Sequence, residues 1–261
     1  MTKYEIIATV VSIIAVSLSI LIPLTQWAWK KWAMTSKVKF YPTGQAMLYF
    51  NQSGSYIRIN GVLESERKAT TIKKLRLILT RKRDDRKLNL VWAYLISPVN
   101  QGMIGGYGSY IQTLEVAHPL RVEADSIACA FVEYSDPSDA SGIKIRKICS
   151  DLMPIIQQIV PGRTYEEALS IFTKSPDYID AKNNLLNDFV WDVGKYSADV
   201  IVEYGKRKEK IFSYEFSVSE QDSTDLRNNI DEALIVNLKS GYQVPLAFKS
   251  PIIEIREINE Y

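Results

Sequence analysis

From Ile6 to Trp29 the chain carries no charged residue, and nothing else in it narrows the possible folds as much. A helix of that length spans ~36 Å, more than the ~30 Å hydrocarbon core of a bilayer. Tyr4 lies at one end and Trp27, Trp29 and Trp32 cluster at the other, as amphipathic rings do at headgroup depth. Pro23 falls near the end of the run, where few backbone hydrogen bonds are lost. A cleaved signal peptide would have a more basic start than Lys3, a shorter apolar run and a small-residue cleavage site. A core helix of a soluble domain would show a polar face. The reading is one transmembrane helix over residues 5–29, then a basic juxtamembrane segment over 30–40.

Lys30, Lys31, Lys37 and Lys39 follow the span, whereas Lys3 precedes it and is offset by Glu5. The positive-inside bias then puts the N-terminus outside and the rest of the chain in the cytoplasm of a bacterial inner membrane. Those four lysines would sit against anionic lipid. Within the span, Ala8, Ser12, Ala15 and Ser19 form a stripe of small residues along one helix face, which Gln26 extends. Small residues let helices approach closely, so the stripe predicts a self-associating anchor and a homo-oligomer.

Beyond the span, residues 41–136 alternate with period two in segment after segment. Ile57, Ile59 and Leu63 share one face, with Gly61 thinning it; Leu75, Leu77 and Leu79 share another. Leu88, Leu90, Trp92, Tyr94 and Ile96 continue the pattern after the turn Arg83–Arg86. Short strands at such spacing predict an Ig-like β-sandwich. Residues 137–261 read as a mixed α/β region, with helical spacing from Ile145 to Ile159 broken at Pro154. Thr164–Glu167 forms a capping box, Ser175-Pro176 a helix start, 198–219 a hairpin, and a helix ends at Gly241.

Several runs of residues carry a family likeness. Phe50-Asn51-Gln52-Ser53-Gly54-Ser55-Tyr56-Ile57, Gly61-Val62-Leu63-Glu64-Ser65, Leu79-Thr80-Arg81-Lys82-Arg83-Asp84-Asp85 and Trp92 resemble a loosely defined bacterial family. Its members are single-pass, membrane-anchored proteins with a cytoplasmic β-sandwich and no assigned chemistry. The resemblance covers residues 1–135, rests on structural motifs and carries no functional residues over.

Catalytic chemistry has little to build on. His118 is the sole histidine, and Cys129 and Cys149 sit in no nucleophile motif. No metal or other cofactor is expected. Gly102, Gly105, Gly106, Tyr107 and Gly108 lack the lysine and hydroxyl of a phosphate loop and read as a mobile ligand or partner loop. Basic residues concentrate between Arg67 and Lys87, with Arg81, Lys82, Arg83, Arg86 and Lys87 at one hairpin end. Anionic lipid is the partner a tethered domain meets first; a solvated strand edge is the other reading. Nucleic acid would want interleaved stacking aromatics, which are missing.

The expected function is an inner-membrane-anchored, non-catalytic, homo-oligomeric binding or signalling module that recognises a cytoplasmic protein or small ligand. The alternative is a membrane-disrupting effector of a bacterial defence system. An enzyme with its site in 144–261 ranks third.

Overall fold

The computed structural model describes residues 3–33, 35–104, 107–206 and 208–258. Helix α1 (Lys3–Ala33) is continuous through Pro23. Its segment Ile7–Lys31 is long and apolar enough to cross a membrane. Ser12 Oγ donates to the Ala8 carbonyl at 2.8 Å and Ser19 Oγ to the Val16 carbonyl at 2.7 Å. Both hydroxyls are thereby satisfied within the helix, as an apolar surrounding demands.

The strands are β1 (Lys37–Asn51), β2 (Gly54–Glu66), β3 (Thr70–Arg81), β4 (Arg86–Ile104), β5 (Tyr107–Val116), β6 (Leu120–Val122), β7 (Ser126–Ser135), β8 (Gly194–Tyr204), β9 (Lys208–Val218) and β10 (Ile252–Glu257). Eight of them close into an antiparallel barrel, ordered β4-β7-β2-β1-β10-β9-β8-β3 and back to β4. The Ig-like sandwich expected over 41–136 is therefore replaced by a barrel. Strands β1, β2, β7, β4 and β3 alone would leave β1 and β3 as free edges. Strands β10 and β8 pair with those two edges, and β9 joins them. The boundary near 137–143 consequently marks where helices begin and does not divide two units.

Alternation fills the barrel lumen. Leu48, Ile57, Ile59, Leu63, Leu75, Leu77, Leu79, Val132, Val200 and Tyr214 are buried, each apolar side chain of this size contributing ~1.5–3 kcal/mol. At Gly61 a Cβ would come within 2.7 Å of the Phe40 ring, so the inner face is thin there, as expected. Strand β4 departs from simple alternation. Trp92 pairs with Tyr134 and Tyr94 with Glu133, which leaves Ala93 as a bulge. Tyr94 is thereby turned outward and Leu95 inward, so the expected face from Leu88 to Ile96 is interrupted after Trp92.

The barrel has two unlike ends. The chain leaves α1 and enters β1 at Lys37; we call this the proximal end. It also carries the β2–β3 and β8–β9 turns. Helices α2 (Ala140–Asp151), α3 (Met153–Ile159), α4 (Tyr165–Thr173) and α5 (Pro176–Asn187) lie between β7 and β8. Helices α6 (Glu220–Leu234) and α7 (Val236–Gly241) lie between β9 and β10. Both connections leave and rejoin the barrel at its distal end, which the helices cover. Trp191 Nε1 donates to the Tyr49 carbonyl at 2.9 Å, and Asn229 Nδ2 to the Phe50 carbonyl at 3.1 Å.

Local helix signals act as the sequence suggests. Thr164 and Glu167 form a reciprocal capping box, and Ser175 Oγ accepts from the Tyr178 N–H. The last helical turn does end at Gly241, but the helix breaks first at Ile235, and the left-handed residue is Gln243, with φ 56°, where the sequence suggested Gly241.

Candidate functional site

Strand β3 runs the length of the barrel, about 36 Å of chain at ~3.3 Å per residue. It separates the basic residues that the sequence crowds together. Lys68 and Lys73 lie at the proximal end; Arg81, Lys82, Arg83, Arg86 and Lys87 lie at the distal end, opposite the α1 junction. There Arg81 is buried, with Nε 2.9 Å from Asp84 Oδ1 and Nη1 on Asp192. Asp192 also receives Arg83 Nη2 at 3.2 Å and Arg227 Nη2 at 2.6 Å. Arg81 holds the Asp84 carboxyl down at about 2. This arginine cluster clasps the helical cap to the barrel, and its geometry gives the lipid reading of that hairpin no support.

The described residues of the glycine-rich segment are strand. Ile104 pairs with Tyr107, Met103 with Gly108 and Gly102 with Ser109, so Gly102, Tyr107 and Gly108 are strand residues of one long hairpin. Gly105 and Gly106 lie outside the described residues. Lys30 and Lys31 close α1, with Lys31 Nζ 4.9 Å from the Trp27 ring centre. Ala8, Ser12, Ala15, Ser19 and Gln26 all lie on α1, exposed.

The proximal end holds a surface of one-sided charge. A groove of about 780 Å3 is lined by Ser36, Lys68, Thr70, Lys73, Arg121 and Lys208, with Thr71, Gly205 and Lys206 beside them. None of its lining residues is acidic. Its parts come from five places: the α1–β1 link, the β2–β3 turn, β3, β6 and the β8–β9 turn with the first residue of β9. The first turn is fixed by Arg67, at φ 71°, whose N–H donates to Asp125 Oδ1 at 2.9 Å. Ser65 Oγ, buried, donates to the Lys68 carbonyl at 2.7 Å. Gly205, at φ 57°, makes the second turn, and its N–H donates to the Thr71 carbonyl at 3.0 Å. In β3 the register against β8 shifts between Ile72 and Lys74, leaving Lys73 as the extra residue. A bulge re-aims a side chain, here a cation at the groove. Arg121 pairs with Glu123 at 2.7 Å. Among the described residues, Lys68, Lys73, Lys206 and Lys208 have no carboxylate within ion-pair distance.

A second opening lies in the wall beside this end. Strand β10 meets β1 only at Gln45–Met47 and β9 only at Tyr214–Phe216. Beyond it β1 and β9 part around a cleft of about 920 Å3. Lys37, Lys39 and Lys210 line it, together with Phe40, Phe212 and Tyr214. Lys37 and Lys39 both pair with Glu66, which partly neutralises them. Lys210 Nζ donates to the Val38 carbonyl at 3.2 Å; burial, then Lys37 and Lys39, lower its pKa. Asp199 and Glu257 also line this cleft, so its charge is mixed.

Groups suited to bond-breaking chemistry stay apart. His118 is exposed between β5 and β6, its Nδ1 3.2 Å from the Val116 carbonyl. Cys149 Sγ is buried against the Ala233 carbonyl, which raises its pKa, while Cys129 is exposed on β7. Among the described residues no three His, Cys, Asp or Glu side chains converge as a metal site requires.

The sequence missed Arg121, Lys206 and Lys208 as groove members because no local pattern joins segments so far apart in the chain. The only signal was the basic cluster Lys206, Arg207, Lys208 and Lys210, interrupted by Glu209. No family model matches this chain, and no curated protein or solved structure is significantly similar to it.

Proposed function

We propose that this protein is a membrane-anchored binding module whose barrel stands on the bilayer with its proximal end toward anionic headgroups. One observation carries the reading: the groove lined only by basic and neutral residues lies at the barrel end where the chain arrives from the apolar helix. Residues 34–36 join helix to barrel, at most ~14 Å of chain, so that end stays close to the surface. Each lysine near an anionic surface contributes about 1 kcal/mol. Lys68, Lys73, Lys206 and Lys208 together contribute about 4 kcal/mol, roughly a thousandfold in the docked fraction. The basic residues after α1 favour a cytoplasmic barrel, facing the anionic leaflet of the inner membrane. The covered distal end offers its helices to a cytoplasmic partner.

The test uses the full chain in nanodiscs, with and without phosphatidylglycerol. Amides of 67–73 and 204–209 exchange more slowly in the anionic discs. Changing the four lysines to Gln, or raising the salt, removes that difference. Equal exchange in both lipids would overturn the reading.

The small-residue stripe on α1 favours a second reading, an effector that self-associates in the membrane and perturbs it. Unchanged membrane potential on overexpression, with or without a trigger, would count against that reading.

A further inference from the structure

We propose that the cleft between β1 and β9 binds an anionic amphiphile, a carboxylate or phosphate head on one extended apolar chain. The site belongs to the barrel wall, whichever way the barrel stands on the bilayer.

The opening follows from strand length. Strand β10 has six residues and meets β1 only at residues 45–47, whereas β1 and β2 pair from residue 37 to residue 51. Where β10 fills the seam, β1 and β9 stand two strand spacings apart, about 10 Å. Toward the proximal end the gap continues between residues 37–44 and 210–213, with no strand in it among the described residues. Alternation along β9 turns Lys210, Phe212, Tyr214 and Phe216 inward. Tyr214 and Phe216 are buried, but Phe212 and Lys210, beyond the end of β10, are only half-buried. The Phe40 ring lies edge-on to those of Phe212 and Tyr214, at 6.1 and 6.3 Å between centres, and forms an apolar floor. Ile255 and Ile258 complete the lining at the β10 end. The volume of about 920 Å3 falls within the range of small-ligand pockets, ~300–1,000 Å3.

Lys210 supplies the charge. Its inward position is an apolar place for an ammonium group, with Nζ 4.8 Å from the Phe212 ring centre. Nζ donates to the Val38 carbonyl at 3.2 Å, and among the described residues no carboxylate is within ion-pair distance of it. Lys37 and Lys39 add two cations and share the carboxylate of Glu66. Burial, then those two lysines, lower the Lys210 pKa, the direction expected of a cation lacking its counter-ion. Of the acids lining the cleft, Asp199 is held by Ser213 Oγ at 2.7 Å. Glu257 pairs with Tyr214, four β9 positions or ~13 Å from Lys210. An anionic head is therefore drawn to the lysine end, and its chain lies along the rings. A peptide strand fits less well. The β1 carbonyls it would need, Val38 and Phe40, already accept from Lys210 Nζ and from the Tyr214 hydroxyl at 3.3 Å. An acyl chain needs no backbone partner.

The experiment places the full chain in phosphatidylcholine nanodiscs, adds dodecanoate and follows amide hydrogen exchange. Residues 38–41 and 210–213 should exchange more slowly, with dodecyl phosphate acting alike and dodecyltrimethylammonium having no effect. Lys210→Met keeps an apolar stem and should raise the dodecanoate needed about tenfold, the worth of one charge-assisted hydrogen bond. The three head groups are compared on the unaltered chain, so the charge requirement is tested even if that variant fails to fold. Phosphatidylglycerol discs without dodecanoate distinguish the source. Protection there as well assigns the ligand to bilayer lipid, and protection with dodecanoate alone assigns it to a free amphiphile. Protection in neither overturns the proposal, and so does equal protection by the cationic amphiphile. Slower exchange confined to 67–73 overturns it too, since that reports only the charged disc surface. So does protection that appears only when the chain is ended at Ile258, which gives the cleft to residues 259–261.

Discussion

Changing Asp192 to Asn tests whether the distal arginines clasp the cap. The Asp192 side chain is 17% exposed and meets Arg81, itself 8% exposed, together with Arg83 and Arg227. Removing one partner of a buried ion pair costs ~3–5 kcal/mol, because the other charge is left uncompensated. Arg81 keeps Asp84, with Nε to Oδ1 at 2.9 Å, which puts the loss at the lower end of that range. Arg83 is largely exposed, and its contact adds little. The expected loss is about 3 kcal/mol, a midpoint lower by roughly 6–12 °C for a domain of this size. The assay is thermal unfolding of the full chain in detergent, followed by the sheet signal in circular dichroism. Lys82→Gln with Lys87→Gln, exposed residues of the same hairpin, should stay within about 0.5 kcal/mol of the parent. An unchanged midpoint for Asp192→Asn, or an equal loss in the lysine pair, would refute the clasp.

Three further outcomes are expected. Burial pushes the Tyr56 hydroxyl up to about 12, so the stability it lends is complete below pH 10 and lost as pH rises toward 12. Tyr56→Phe should flatten that part of the alkaline unfolding profile, and an unaltered profile would assign the loss to other groups. Leu in place of Ser12 and Ala15 should shift detergent cross-linking toward monomer, whereas Leu at Val11 and Ile14 should change little. If both pairs cross-link like the parent, the stripe does not hold copies together. A reporter active only outside the cytoplasm, fused after Tyr261, should be silent; strong activity would reverse the orientation.

What could be read in the chain was what is decided locally. The apolar run of α1, the inward residues of β2 and β3, and the caps at Thr164 and Ser175 each depend on neighbours a few positions away. Barrel closure did not show, because β1 and β10, or β3 and β8, find one another across long stretches of sequence. The bulges at Lys73 and Ala93 were invisible for a related reason: an extra residue is defined only against the strand it faces. The charge cluster from Arg67 to Lys87 was misleading as a unit. Residues close in sequence lie far apart once a full-length strand runs between them. Arg121 and Lys208, distant in sequence, share a groove with Lys73.

The first and last strands of the barrel are neighbours, with Met47 against Ile252 and roughly 200 residues of chain between them. During synthesis at ~5–20 residues per second, β1 waits about 10–40 s for its partner to emerge. Through that interval the nascent barrel has an open seam, and β1 presents an unpaired edge just after the apolar helix α1. Chains stalled or cut before residue 252 should keep that seam and be prone to pair with one another. Closure of this barrel then depends on the arrival of β10, not on any strand made before it.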